Sequence, residues 1–199
     1  MLATISIRAA RGEDAPGIAR VHLASWQTTY RGIVPDDILD HLTLDDYEPR
    51  WRQLLASAEI ASGVECTFVA EEVATTTIIG FAHGAPTRST RSEAANTIIQ
   101  RVPYESELNA IYLLPTMRRQ GIGRRLTAAV AQHLAARGHH GLIVWALADN
   151  APARRFYERL GGVVVAEQPI EIGKPLVEVA YGWPDLPPSR TPSPLGHRS

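Results

Sequence analysis

The chain has 199 residues and a mass of 21.8 kDa, the size of one ordinary domain, and its 45% hydrophobic and 21% charged residues exclude wholesale disorder. Twenty lysines and arginines against 21 aspartates and glutamates leave a net charge of −1, so no general attraction to nucleic acid or to an acidic membrane is expected. The single cysteine, Cys66, excludes an internal disulfide framework and a cysteine-rich zinc site.

The two ends of the sequence carry different signals. The first 11 residues, MLATISIRAAR, contain two arginines and no long apolar core. No later stretch approaches the roughly 18 apolar residues of a membrane span, so we expect a cytoplasmic protein without a membrane partner. Residues 184–199 hold five of the chain's 14 prolines and few residues to bury, which predicts one domain over residues 1–183 followed by a disordered tail.

The first 60 residues predict one strand followed by helices. Hydrophobic and polar residues alternate over Thr4–Arg8, as in a strand. Asp14 is placed to cap a helix, and the segment Trp26–Pro35, with its glycine and proline, is expected to end it. Thr43 and Asp46 form a capping box, and the helix behind it has large side chains every four residues, at Tyr47, Trp51 and Leu55.

The middle of the chain predicts three strands. Cys66–Glu71 and Thr76–Ala85 are rich in β-branched and aromatic residues and are joined by a short turn. Residues 86–104 show little periodicity, and we expect a long excursion there that faces the substrate. Glu107–Leu114 is apolar on both faces, as in an interior strand.

The remaining elements alternate helix and strand. A helix follows Gly121, with buried positions at a spacing of four residues. Gly141–Leu147 is a buried strand, Asn150 caps a second helix, and Val163–Glu167 and Val177–Trp183 are closing strands. The predicted order is β-α-α-β-β-β-α-β-α-β-β, an α/β or α+β fold with helices packed on a mixed central β-sheet.

The turn between the interior strand and its helix predicts an anion site. Gly121 and Gly123 permit a tight turn and close approach of a ligand to the backbone. The free N–H groups of the first helical turn carry the positive end of the helix dipole. Positive side chains add to it at Arg118, Arg119, Arg124 and Arg125. Plain turn chemistry and a solvated charged face are the alternatives.

Two nucleotide-binding motifs are excluded at this turn. A P-loop requires Gly-Lys followed by Ser or Thr, which the chain lacks. A dinucleotide fingerprint requires a third glycine three residues after Gly123, where Leu126 stands. A diphosphate held in another way is the expected anion.

Two motifs in order resemble one family. Arg118, Gly121 and Gly123 form R-x-x-G-x-G after a strand, and the run from Asn150 to Gly161 forms N-x-x-A-x-x-F-Y-x-x-L-G. Both are similar to signatures of the GNAT superfamily of N-acetyltransferases. The segment W-x-x-x-Y-R-G-x-x-P, beginning at Trp26, resembles a bacterial subgroup of that superfamily. The resemblance covers roughly residues 4–183 and leaves the tail outside.

The resemblance implies a GNAT-like sheet and acetyl-CoA as cosubstrate. Backbone groups of Ile111 and Leu113 would bind the pantetheine arm, and an amide near Leu113 would polarise the thioester carbonyl. Asn150 would bind the pantetheine or adenosine arm. The pyrophosphate would lie on the amides of the turn, at Arg118, Arg119, Gln120, Gly121, Ile122, Gly123 and Arg124.

The resemblance also implies catalytic groups. Tyr157 would point at the sulfur and donate its proton or a hydrogen bond to the leaving thiolate; the alternative is a packed helix aromatic. Glu107 resembles an acid that serves as general base in some members; the alternative is a solvated strand end. His83, His22 and a water relay are other candidates for the base. The subgroup often has an acid two residues before the motif asparagine, where this chain has Ala148.

Substrate recognition is the least constrained part of the sequence. Trp26, Tyr30 and Tyr104 are candidates for an aromatic substrate pocket, with a core role as the alternative. Arg88 and Arg91, in the long excursion, would attract a carboxylate-bearing substrate or would simply be solvated. We read Cys66 as a core residue and expect no metal site.

The sequence thus predicts an acyl-CoA-dependent N-acyltransferase that transfers acetyl from acetyl-CoA to a primary amine by direct attack. The alternative is a non-catalytic acyl-CoA-binding or regulatory domain with the same fold. The amine, small molecule or peptide, is left open. A homodimer is also open, since members of the superfamily often pair through edge strands or helices.

Overall fold

The computed structural model describes residues 4–87 and 104–185. Most of the predicted excursion, with Arg88 and Arg91, and residues 186–199 of the predicted tail lie outside the described residues. Within the described part, no helix is long and apolar enough to cross a bilayer. The cytoplasmic location and the domain boundary at residue 183 stay predictions.

The fold is built on a seven-stranded sheet in the order β1-β2-β3-β4-β5-β7-β6, with helices on both faces. Only β4 and β5 are parallel neighbours; the other adjacent pairs are antiparallel. The predicted mixed sheet is therefore confirmed. In chain order the elements are β1 (Ile5–Ala9), α1 (Ala15–Thr29), α2 (Asp36–His41), α3 (Leu44–Leu55), α4 (Ala58–Ser62), β2 (Cys66–Glu72), β3 (Thr77–Pro86), β4 (Ser106–Leu113), α5 (Ile122–Ala135), β5 (Leu142–Leu147), α6 (Ala151–Arg159), β6 (Val163–Glu171) and β7 (Pro175–Trp183).

The N-terminal helices depart from the prediction in two ways. The first helix continues through Trp26 to Thr29, so the break predicted over Trp26–Pro35 starts too early. Contacts of Trp26 with the sheet, which local sequence does not reveal, hold this last turn. The short helices α2 and α4 were not predicted, because helices of five or six residues carry too few turns to show a period.

Asp14 stands at the N-cap of α1, as predicted, but its carboxylate does not bond the helix. It accepts two hydrogen bonds from Arg8, at 2.6 and 2.8 Å, and one from the Arg11 N–H. Arg8 also pairs with Glu71 on the neighbouring strand, at 2.9 Å. The buried carboxylate therefore ties the start of α1 to the edge of the sheet through a shared arginine.

The closing hairpin is longer than predicted. Strand β6 extends to Glu171 and β7 begins at Pro175, with Gln168 opposite Glu178 in the ladder. The prediction ended the first strand at Glu167, whereas the observed strand continues through Pro169. β6 is an edge strand, where proline is tolerated.

Two apolar layers sandwich the sheet. On one face, α5 and α6 cover a core that includes the fully buried Leu126 and Leu134. On the other face, α1 and α3 cover Val69 and Phe81, and Trp51 and Tyr47 of the predicted four-residue spacing are buried there. β4 contributes to both layers, since Leu108 faces the first and Ala110 and Tyr112 face the second. Side chains of β4 are therefore presented to both faces of the sheet.

His22 lies at the centre of an aromatic cluster on the α1 face. Its ring packs against Tyr47 at 4.4 Å and stacks on Tyr112 at 4.8 Å, and the Trp51 indole N–H donates to its Nδ1 at 3.2 Å. Burial, with a smaller contribution from Arg50, lowers the pKa of His22 to about 4. The imidazole is therefore neutral at pH 7 and serves as a packing partner and hydrogen-bond acceptor.

The buried imidazole predicts an acid-sensitive fold. Because its pKa falls from 6.5 when unfolded to about 4 when folded, the unfolded state binds more protons below pH 6.5, and stability is lost as the pH falls from 6.5 toward 4. The loss approaches about 3 kcal/mol at the lower limit. Urea unfolding at pH 7.0 and 4.5 measures it.

The matched variants are His22→Gln, which cannot titrate, and His140→Gln, which removes an exposed imidazole. We expect the pH dependence to become shallower in His22→Gln and to be unchanged in His140→Gln. Equal slopes in all three proteins would contradict this account.

Candidate active site

The two parallel strands at the centre of the sheet are joined at one end only. Ser106 opens β4, and its N–H and hydroxyl both donate to the Gly141 carbonyl, at 3.3 and 2.7 Å. Ladder pairing then comprises Ser106 with Leu142 and Glu107 with Ile143, and stops. Beyond these pairs the strands separate toward their carboxyl ends. Such a crevice is where open α/β sheets bind ligands.

A β-bulge accompanies the separation. On the side of β4 that faces β3, His83 pairs with Ala110 and Gly84 with Leu108, so Asn109 is the extra residue. A bulge bends its strand and increases the local twist. It also re-aims the side chains that follow, so that Tyr112 reaches the α1 face while Ile111 and Leu113 pack on the α5 face.

The predicted anion site lies at the turn into α5. Arg119 and Gly121 both adopt left-handed conformations, with φ of 61° and 75°, and a Cβ on Gly121 would meet no atom within 4 Å. Among the described residues, the Arg125 N–H donates to the Gly121 carbonyl, and no N–H from Arg119 to Arg124 donates to a backbone carbonyl. The preceding N–H groups, from Arg119 to Arg124, are thus available to an anion.

The arginine side chains contribute less to this site than the sequence suggests. Arg118 donates to the Thr29 hydroxyl at 2.8 Å, and Arg125 donates to the Ile5 carbonyl at 3.0 Å. Both guanidinium groups are therefore engaged with other elements. Arg119 and Arg124 are exposed beside the turn.

Gly123 has a separate role on the inner side of the same helix. A Cβ at this position would lie 3.2 Å from the Phe156 ring, so the glycine lets α5 pack closely on α6. The residue after Phe156 is Tyr157, which is buried against Tyr181 and Trp183. Asn150, also buried, accepts a hydrogen bond from the Ala153 N–H at 3.2 Å and caps α6, as predicted.

Tyr157 is buried in the core on the α5 face of the sheet. Burial raises the pKa of Tyr157 strongly, and the second contribution comes from Tyr30, on the opposite face of the sheet. Tyr157 is therefore protonated at any physiological pH.

A cavity of about 210 Å³ opens on the α1 side of the crevice, and we call it the acceptor cavity. It contains three of the predicted residues, Glu107, Trp26 and Tyr30. Among residues 4–87 and 104–185, the lining consists of Trp26, Tyr30, Glu107, Asn109, Tyr112, Trp145, Ala146, Leu147, Ile170, Ile172 and Glu178.

Three other predicted candidates lie elsewhere. Tyr104 packs with Ile143 and Ala180 and does not line the acceptor cavity. His83 is buried and bonded to the Thr67 hydroxyl at 3.0 Å. His22 stands behind the cavity wall rather than in it. The aromatic substrate pocket predicted from the sequence is thus assembled from Trp26 and Tyr30 without Tyr104.

The sequence analysis missed several cavity residues, including Asn109, Tyr112, Trp145 and Glu178. Asn109 and Glu178 carried a usable signal, because each is a polar residue inside a strand that is otherwise largely apolar. Which face Tyr112 would occupy depends on the bulge, and a one-residue change of register reverses every side chain that follows.

Tyr112 organises the wall of the acceptor cavity. Its hydroxyl accepts a hydrogen bond from the Trp26 indole N–H at 3.1 Å and shares another with the Tyr30 hydroxyl at 3.2 Å. The ring rests on His22 from behind. Three aromatic side chains, from α1, from the residue that follows it and from β4, are thereby fixed around one oxygen.

Two buried carboxylates also face the acceptor cavity. Glu107 is 4% exposed and Glu178 is 8% exposed. The Gln168 side-chain amide donates to the Glu178 carboxylate. Within the described residues, no cluster of three or more His, Cys, Asp or Glu could hold a metal ion.

Comparison with known proteins gives a family match and solved structures with the same fold. The family described as FR47-like protein matches residues 80–169, from β3 into β6. Two solved structures share the fold: the PaiA N-acetyltransferase of Thermoplasma acidophilum in complex with coenzyme A (TM-score 0.65, 20% identity, 88% of this chain and 98% of that one), and yncA of Salmonella typhimurium with its cofactor acetyl-CoA (TM-score 0.63, 18% identity, 92% and 95%).

A curated relative covers nearly the whole sequence. The chain is 36% identical over 188 residues to the uncharacterized N-acetyltransferase YuaI of Bacillus subtilis. The match spans 94% of this chain and 97% of the relative. The chain therefore belongs to the GNAT superfamily of N-acetyltransferases. The subgroup indicated by the motif at Trp26 and the homodimer stay predictions.

The shared hydroxyl of Tyr112 predicts a measurable contribution to stability. Tyr112→Phe removes the acceptor of the Trp26 N–H and the partner of Tyr30, and we expect the free energy of unfolding to fall by about 1–2 kcal/mol. Tyr47→Phe is the matched control, because no hydrogen bond among the described residues uses its hydroxyl. Denaturant titration measures both, and equal losses in the two variants would argue against the network.

Proposed function

We propose that this chain transfers an acetyl group from acetyl-CoA to a primary amine by direct attack. The observation that carries the proposal is the separation of β4 from β5 after two ladder pairs. It opens a crevice with the anion site at one end and the acceptor cavity on one side. The relatives bound to coenzyme A and acetyl-CoA support the choice of cosubstrate.

The residues around the crevice fit the parts of acetyl-CoA. The amides from Arg119 to Arg124 would hold the pyrophosphate, because they are available donors beside a glycine with open space around it, whereas the Arg118 N–H already donates to the Pro115 carbonyl. The backbone of Ile111 and Leu113 would hold the pantetheine arm along β4. The Ser25 hydroxyl already donates to the Leu113 carbonyl at 3.3 Å, so we assign the Leu113 N–H to the thioester oxygen. Asn150 would bind the arm in addition to capping α6.

Glu107 is the group that we assign as general base. An alkylammonium with a pKa of about 10 is only about 0.1% neutral at pH 7, so its proton must be accepted before attack. Glu107 stands at the last ladder pair, where the strands begin to separate, and its side chain lines the acceptor cavity. It is therefore placed between a bound amine and the crevice.

Tyr157 is the group that we assign to the leaving sulfur. Acetyl-CoA supplies an activated thioester, whose C–S bond breaks as the new C–N bond forms. With ordinary pKa values of about 10 for tyrosine and 8.5 for a thiol, full proton transfer to the thiolate costs about 2 kcal/mol. Burial raises the pKa of Tyr157 further, so its hydroxyl donates a strong hydrogen bond to the sulfur and keeps its proton.

Binding of the cosubstrate is the first expected outcome. Acetyl-CoA at 100 times its Kd should stabilise the fold by about 2.7 kcal/mol, a shift that thermal unfolding detects readily. ATP at the same concentration is the control for a general affinity for phosphates. No shift at millimolar acetyl-CoA would overturn both the enzyme and the acyl-CoA-binding alternative.

Removing the Tyr157 hydroxyl distinguishes an enzyme from a domain that only binds acetyl-CoA. We expect Tyr157→Phe to lower kcat at least tenfold while the Kd for coenzyme A stays within twofold, because the hydroxyl acts only on the developing charge at sulfur. Tyr104→Phe, outside the acceptor cavity, should leave kcat unchanged. A protein that binds acetyl-CoA and releases no thiol with any amine would be the non-catalytic alternative.

A further inference from the structure

Three hydrogen-bond donors meet at two oxygens in the wall of the acceptor cavity. The Trp26 indole N–H donates to the Tyr112 hydroxyl at 3.1 Å, and the Tyr112 and Tyr30 hydroxyls share one hydrogen bond at 3.2 Å. Whichever hydroxyl donates in that bond, the proton of the other has no acceptor among residues 4–87 and 104–185. The network therefore leaves one O–H donor unused, and both tyrosines line the cavity.

The direction of the shared bond assigns the unused donor to Tyr30. A hydroxyl that accepts a hydrogen bond becomes a stronger donor, so the Trp26 N–H favours donation from Tyr112 to Tyr30. Burial raises the pKa of both tyrosines, and the shared bond raises the pKa of Tyr112 further and lowers that of Tyr30, as expected for a donor and its acceptor. The hydrogen bonds thus run from Trp26 through Tyr112 to Tyr30 and end at the Tyr30 O–H.

Packing fixes the position of this donor. Trp26 and Tyr30 approach edge to face with ring centroids 4.9 Å apart, and the Tyr112 ring stacks on His22 at 4.8 Å. The Tyr30 side chain is therefore held both at its ring and at its hydroxyl. A donor that is held before the ligand arrives costs little ordering on binding and reaches a ligand atom only at a defined place.

The unused donor favours a ligand that carries an oxygen. A molecule that enters the cavity takes the place of water at the Tyr30 hydroxyl, and without an acceptor of its own it leaves the O–H unpaired, at a cost of about tenfold in affinity. The amine nitrogen is not that acceptor, because attack on the thioester requires its lone pair. A hydroxyl, ether or carbonyl oxygen elsewhere in the substrate can accept the bond.

The cavity also limits the size of the substrate. Its volume of about 210 Å³ corresponds to about seven waters at about 30 Å³ per water. This volume lies below the range of about 300–1,000 Å³ for drug-sized ligands. Ile170 and Ile172 give the cavity aliphatic walls. A compact amine with a short hydrocarbon body suits this space.

We propose that the acceptor substrate is a compact primary amine that carries a hydroxyl, ether or carbonyl oxygen, and that the Tyr30 hydroxyl selects it by donating a hydrogen bond to that oxygen. Trp26 and Tyr112 are positioning residues that hold the donor. The inference rests on the proposed acetyl transfer.

Isosteric pairs of amines test the proposal on the unaltered protein. 2-Methoxyethylamine differs from butylamine only by an oxygen in place of a CH2 group, and 3-methoxypropylamine differs from pentylamine in the same way. Because the ether lowers the pKa of the amine, kcat/KM is referred to the concentration of neutral amine. We expect at least one ether amine to exceed its isostere about tenfold. Equal values within both pairs overturn the proposal.

Variants of the hydrogen-bonded pair test the role of Tyr30. Tyr30→Phe keeps the ring and removes the donor, and we expect the preference for the ether amine to fall below about twofold. Tyr112→Phe removes the hydroxyl that orients Tyr30 and should lose part of the preference. Tyr104→Phe, outside the cavity, is the control and should keep it. A preference that persists in Tyr30→Phe, whatever the change in rate, overturns the assignment.

A binding measurement separates recognition of the oxygen from the chemical step. Calorimetric titration of the preferred ether amine into protein saturated with coenzyme A should show a Kd about tenfold higher in Tyr30→Phe than in the unaltered protein. The Kd of the isosteric alkylamine should change less. Equal changes for the two amines overturn the assignment of the hydroxyl to the substrate oxygen.

The outcomes distinguish this inference from the function on which it rests. A thermal shift with acetyl-CoA, but no preference for an ether amine in binding or in turnover, overturns the substrate class and leaves acetyl transfer standing. No binding of acetyl-CoA overturns both. Should Tyr30→Phe fail to fold, the isosteric pairs decide the substrate class on the unaltered protein, and Tyr112→Phe tests the donor.

Discussion

The hydrogen bonds that join β4 to β5 at one end, and their absence further along, determine the rest of the site. Ser106 fastens the start of β4 to the Gly141 carbonyl through both its N–H and its hydroxyl, and two ladder pairs follow. A parallel ladder continued to Leu113 would close the centre of the sheet. The bulge at Asn109 bends β4 at the position where pairing stops. Cosubstrate crevice and acceptor cavity therefore share one structural origin.

The sequence carries a motif for the proposed cosubstrate side of this opening and none for the acceptor side, for a physical reason. Binding an anion on backbone amides requires glycine at fixed places, as at Gly121 with its positive φ, and such requirements leave a motif in the sequence. The acceptor side is made of side chains from strands far apart in the chain, so no local spacing relates Glu107 to Glu178. Only the completed sheet brings them to one cavity.

Hydrophobic periodicity predicted most of the helices and strands. The errors lie where contacts between residues distant in the sequence determine the structure. Buried positions of α3 and α5 recur every four residues, and these helices lie where they were predicted. The end of α1 and the length of the β6–β7 hairpin depend on tertiary contacts, as with Trp26, or on edge position, as with Pro169. Tyr104 was grouped with the substrate aromatics by residue type alone, whereas its environment is the packing around Gly182.

The close packing of Gly123 on Phe156 has a consequence for the length of the acyl carrier. Because the N-terminus of α5 packs closely on the helix that bears Tyr157, the proposed anion site and the Tyr157 hydroxyl, which we assign to the leaving sulfur, are held at a fixed separation. The phosphates and the thioester of an acyl carrier can bind at both places together only if the arm that joins them has the matching length. A truncated thioester without phosphates would have the reactive group but no distant anchor, and would lose the orientation that the distant anchor provides.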